Sequence, residues 1–91
     1  MAIVAEWVKI DSARMLESLA TAQTKLDAGE SEVVLDFSSV ERLDAAALNQ
    51  LSELGALSSK KSARLALRGV NIGVYRVLKT SKIADEFIFL S

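Results

Sequence analysis

The segment Glu32-Val33-Val34-Leu35-Asp36-Phe37 constrains this chain most. Three consecutive aliphatic residues, two of them β-branched, suit a strand buried on both faces. It lies between two stretches of helical periodicity. Upstream, Met15, Leu16, Leu19, Ala22 and Leu26 share a helical stripe, with Asp11 or Ser12 supplying the cap oxygen and Gly29 in the left-handed position that ends the helix. This predicts a helix over 12–28. Downstream, Asp44 offers a second cap ahead of Ala47, Leu48, Leu51, Leu54 and Leu57, which predicts a helix over 45–59. Lys60 and Lys61 follow its last turn, where positive charge complements the helix dipole.

Ile3 to Ile10 reads as a strand with neither face purely polar. Ala63 to Arg68 alternates, with Ala63, Leu65 and Leu67 on one side and Arg64, Ala66 and Arg68 on the other, and Gly69 ends it. Val74, Val77 and Leu78 predict a short helix over 72–80. Ile83 begins a further turn, and Phe87 to Leu90 closes the chain as a strand. No linker, repeat or low-complexity stretch intervenes, so residues 1–91 are expected to form one domain. The expected fold is α/β: a single layer of about four strands, a mixed sheet with parallel pairs, packed by about three main helices.

Composition removes several chemistries. The 91 residues include no Cys, His or Pro. Disulfides, Cys/His zinc sites, thiol catalysis and a Ser–His–Asp relay are therefore excluded within this chain. A domain this short buries roughly 60–65% of its unfolded surface, which leaves little room for an enclosed substrate cavity. Gly29, Gly55, Gly69 and Gly73 stand singly, never in a phosphate-binding loop, so no nucleotide cofactor is expected, and no metal. The run Ala2-Ile3-Val4-Ala5 is broken by Glu6 and is too short for a signal peptide or a membrane span, so a cytoplasmic location is expected.

The formal charge of -1 hides an uneven distribution. Residues 1–59 carry four basic against ten acidic side chains, and residues 60–91 carry seven against two. Either the halves neutralise each other on one surface or they steer a charged partner. The basic cluster is interleaved with only Tyr75, so nucleic acid is not an expected partner. Trp7 and Tyr75 are candidate interface anchors, with core burial the alternative for Trp7.

The stretch from Asp36 to Leu48 is the most suggestive local constellation. A buried strand ends in a carboxylate, a polar loop with Ser38, Ser39, Glu41 and Arg42 follows, and Asp44 caps the next helix. In parallel α/β sheets, sites collect at strand carboxyl ends beside helix N-termini. The plainer reading makes Asp44 a cap, Asp36 a partner of a loop amide, and the serines turn residues. A further alternative is a small carboxylate-dependent enzyme using Asp36 and Asp44, which would need one strongly raised pKa.

The run Val33-Val34-Leu35-Asp36-Phe37-Ser38-Ser39-Val40, then Leu43-Asp44-Ala45-Ala46-Ala47-Leu48, resembles the STAS domain of bacterial anti-sigma-factor antagonists, whose signature reads VVLDLSGV…DSSGL. Asp36, Ser38, Val40, Asp44 and Leu48 match it. Val8-Lys9-Ile10-Asp11 is similar to a degenerate form of the family's GELD segment, with Asp11 on its Asp. Leu65-Ala66-Leu67 followed by Val74, Val77, Leu78, Lys79 and Thr80 is similar to the family's ending. In phosphoregulated members, the Ser directly after the capping Asp is phosphorylated by a cognate kinase acting as anti-sigma factor. Here that position is Ala45, the next is Ala46, and the family's Gly is Ala47. An alanine has no hydroxyl, so no phosphate can be placed there.

The resemblance implies a non-enzymatic regulator that works by protein–protein binding. Its expected surface is Asp11, Ser38, Ser39, Glu41, Arg42, Asp44, Ala45, Ala46 and Leu48, and its expected partner is an anti-sigma factor or related kinase. The alternative is the small STAS subunit of a bacterial phospholipid-transport ATP-binding cassette complex, docking on the ATPase. Self-association as a homodimer stays open.

Overall fold

Each strand of the computed structural model, which describes residues 5–90, is followed by a helix before the next strand begins. The order is β1 (Glu6–Lys9), a single 3-10 turn (Ser12–Arg14), α1 (Met15–Asp27), β2 (Glu32–Asp36), α2 (Ala45–Lys60), β3 (Arg64–Arg68), α3 (Ile72–Thr80), a second 3-10 turn (Ala84–Glu86) and β4 (Ile88–Leu90). Residues Ile3 and Val4 of the expected first strand lie outside the described residues. The expected 12–28 helix is divided at Arg14, whose φ of -133° and ψ of 48° are not helical. Asp11 caps the 3-10 turn by accepting from the Ala13 N–H at 2.9 Å.

The sheet runs β1-β2-β3-β4, and all three pairings are parallel. The expectation of a mixed sheet is thereby corrected. Every connection contains a helix that carries the chain back to the end it started from, so each strand enters the sheet in the same direction.

All three helices cover one face. Val8, Ile10, Val33, Leu35, Phe37, Leu65 and Leu67 point into a single core with Leu19 and Leu26 of α1, Leu51 and Leu54 of α2, and Val74 and Leu78 of α3. Val34 and Ala66 point the other way and stand outside that core, yet are only 4% and 5% exposed. The triple-aliphatic run in β2 is buried on both faces, as its sequence predicts, although no helix covers the second. There the guanidinium of Arg68 on β3 sits 5.8 Å from the Trp7 ring centre on β1, so its side chain passes over β2. Trp7 itself is 58% exposed, which settles its alternatives against core burial.

Tyr75 packs edge-on against Phe89 of β4, at the sheet edge opposite Trp7, so the two aromatics do not form one anchor. Among the described residues, the charge halves do not neutralise each other through ion pairs. Both salt bridges among these residues, Lys25–Glu6 and Arg14–Glu17, fall within residues 1–59.

Candidate functional site

Three loops meet at the carboxyl end of the sheet. β2 delivers Asp36 and then Phe37, whose N–H donates to the Arg68 carbonyl at 2.8 Å and whose ring is fully buried. The polar loop 38–44 therefore starts from a fixed point beside β3. Gly69, directly after β3, has a φ of +73°, and a Cβ there would come within 3.1 Å of the Ser38 Cα. Only a glycine suits both the left-handed backbone and that close approach of the two loops.

The middle of the loop is tied down by Asn71. Its Oδ1 accepts from the Val74 N–H at 2.8 Å and caps α3. Its Nδ2 donates to the carbonyls of Val40 at 3.2 Å and Glu41 at 3.1 Å. One side chain thus fixes both a helix start and the middle of the loop. Its capping role is legible in sequence from an Asn ahead of an apolar helical stripe. The link across about thirty residues to Glu41 has no local signal.

Asp44 opens α2 as expected, its Oδ1 accepting from the Ala47 N–H at 2.8 Å. Ala45 and Ala46 are exposed on the first turn, Ala47 is buried, and Leu48 is half-buried against the core. Beside this helix start lies an open groove of about 520 Å³ lined by Ser12, Met15, Ser39, Glu41, Arg42, Leu43, Asp44 and Ala47. Of the expected surface, Ser39, Glu41, Arg42 and Asp44 meet in the groove, while Ala45 and Ala46 stand on the adjoining helix turn. Asp11 and Ser38 do not line it. Asp11 belongs to a neighbouring surface with Trp7, Lys9 and Arg14, and Ser38 turns its N–H back to Asp36. Ser12, Met15 and Leu43 were not anticipated. They reach the groove because the 3-10 turn brings the start of α1 beside the loop.

Asp36 is held as an anion. The Ser38 backbone N–H donates to its Oδ1 at 3.0 Å, and the Ser38 hydroxyl, Arg68 and Lys9 add to the stabilisation of its charge. Together these keep its carboxyl below the ordinary value of 3.8. A depressed folded-state pKa contributes stability that is present above the unfolded value and is lost as pH falls through the folded one. Asp36→Asn should therefore show a shallower loss of stability than the native chain below about pH 4. Urea midpoints measured across that acid range check this, and identical pH slopes would show that the loop amide contributes nothing.

A family model described as "Mlab, STAS domain" matches residues 8–90. The chain belongs to the STAS family. Among solved structures it is similar to a Thermotoga maritima protein given as a "putative anti-sigma factor antagonist", with a TM-score of 0.71 and 22% identity, covering 100% of this chain and 75% of that one. At that identity the likeness concerns the fold alone. No curated protein matches the chain. Among the described residues no helix is long and apolar enough to cross a membrane.

Proposed function

We propose that this STAS domain is a non-enzymatic regulator that binds a protein partner through the start of α2 and the groove beside it. The observation that carries this is the pairing of an exposed, side-chain-poor turn, Ala45-Ala46, with a groove rimmed by Glu41, Arg42 and Asp44. Small residues let a partner backbone or helix approach closely, and charged rims set orientation. Acid–base catalysis by Asp36 and Asp44 finds no support. Asp36 is held ionised rather than protonated, and an Asp44 oxygen is taken by the helix cap.

The methyl groups at 45 and 46 remove the switch that phosphoregulated STAS domains place there. The partner, of the anti-sigma-factor or kinase type, would then be controlled by its own state or abundance, within the cytoplasm. The same absence of a hydroxyl favours a second reading with a constitutive partner: the small subunit of a phospholipid-transport complex, docked on its ATPase. Affinity capture from native cells separates the two, a sigma-regulating kinase supporting the first and an ATP-binding cassette protein the second.

Ala46→Arg tests the surface under either reading. Its side chain projects from an exposed turn, so folding should be unchanged while partner affinity falls at least about tenfold. Unchanged capture by this variant would place the binding surface elsewhere.

A further inference from the structure

We propose that the helix-free face of the sheet is a self-association surface, joining two copies of this chain about a two-fold axis that runs along the strands between β2 and β3. The face is written in three rows by the strand register. The middle row is apolar, Trp7, Val34, Ala66 and Ile88, with Trp7 and Ile88 exposed and Val34 and Ala66 already covered within the chain. The row toward the strand starts pairs Glu32 with Arg64. The row toward the strand ends carries Lys9, Asp36, Arg68 and Leu90. Glu32, Val34, Arg64, Ala66, Ile88 and Leu90 line one shallow groove, so these side chains do share a surface. Trp7, Ile88 and Leu90 remain 58%, 44% and 41% exposed, although all three helices pack on the other side.

The charges select the occupant. Two copies can meet face to face about a two-fold axis along the strands or about one across them. An axis across the strands reverses the rows, setting Glu32 against the other copy's Asp36 and Arg64 against its Arg68. Like charges would then meet at every charged position of β2 and β3. An axis along the strands keeps each row on itself and exchanges β2 with β3 and β1 with β4. Glu32 then faces Arg64 of the other copy, Asp36 its Arg68, Trp7 its Ile88 and Lys9 its Leu90, each twice, while Val34 and Ala66, already covered within each chain, form the floor beneath them. A surface that is repulsive in one symmetric arrangement and complementary in the other is what a self-pairing sheet requires. Aligned packing of two sheets tolerates the offset that strand twist introduces.

Four strands about 4.8 Å apart and three short rows offer less than the roughly 800 Å² per partner of a standard interface, so association should be weak and concentration-dependent. It leaves the groove at α2 open, because that groove is built on the helix side, and it stands independently of the proposed partner.

Sedimentation equilibrium from about 10 μM to about 1 mM should show the average mass rising from the 9.8 kDa chain toward twice that value. Emission of the single Trp should shift to the blue over the same range as Trp7 loses water. Glu32→Arg and Arg64→Glu should each weaken association at least about tenfold, since each sets like charges opposite one another twice. An equimolar mixture of the two variants should recover native-like association, because in the mixed pair every new charge meets its opposite. Misfolding of either variant could not produce that recovery. The proposal fails if the native chain stays monomeric with constant Trp emission. It fails equally if the variants associate like the native chain or if mixing restores nothing.

Discussion

Phe37→Ala is expected to cost about 3–5 kcal/mol. Phe37 is fully buried, in the core that β2 shares with all three helices. Truncation removes the transfer free energy of the ring and leaves a cavity at the point where the polar loop departs. The backbone there has little freedom to collapse inward, because the Phe37 N–H is bonded to Arg68 and its carbonyl accepts from the Val40 N–H at 2.9 Å. Domains of this size hold only about 5–15 kcal/mol in total, so the variant should unfold at markedly lower urea and lose roughly 4–8 °C of Tm per kcal/mol. Phe37→Leu should recover most of the loss, since it keeps much of the volume and adds no polar atom. A Phe37→Ala midpoint within about 1 kcal/mol of native would show that the neighbouring loops close the cavity.

The elements of this fold were legible because each is written locally. The stripes of α1, α2 and α3, the cap Asp44 and the aliphatic run of β2 fall where the pattern puts them, within a few residues, while Asp11 caps the 3-10 turn ahead of α1 rather than α1 itself. The sheet's direction follows from those same helices: with one in every connection, including between β3 and β4, each strand re-enters the sheet in the same direction, which the expected mixed sheet leaves out of account. Burial of β2 on both faces was legible in its three aliphatic residues, but what covers the second face was not. Val34 is inaccessible because Trp7 and Arg68 lie over its face, not because a second layer of helices covers it. The candidate site divides in the same way. Asp44, Ala45 and Ala46 could be read from the chain, whereas Gly69 against Ser38 and Asn71 against Val40 and Glu41 join segments about thirty residues apart. Contacts of that kind leave no periodicity to find.

Asn71 separates capping from loop positioning, and two substitutions divide its roles. Asn71→Ala removes the cap, at about 1 kcal/mol, and both carbonyl contacts, at about 1 kcal/mol each, for a loss of roughly 2–3 kcal/mol. Asn71→Asp keeps an oxygen for the Val74 N–H and adds negative charge at the start of α3, where the helix dipole favours it. Its second oxygen, however, faces the carbonyls of Val40 and Glu41 with no hydrogen to give. Any destabilisation by Asn71→Asp must therefore come from the loop side. The expected result is a loss of about 1–2 kcal/mol together with faster hydrogen exchange at the amides of residues 40–43, while the first turn of α3 stays protected. Because Glu41 and Arg42 rim the groove, the same variant should weaken partner binding more than its modest stability loss explains. If Asn71→Asp keeps native stability and native exchange in the loop, the Nδ2 contacts do not hold the groove and Asn71 is a helix cap alone.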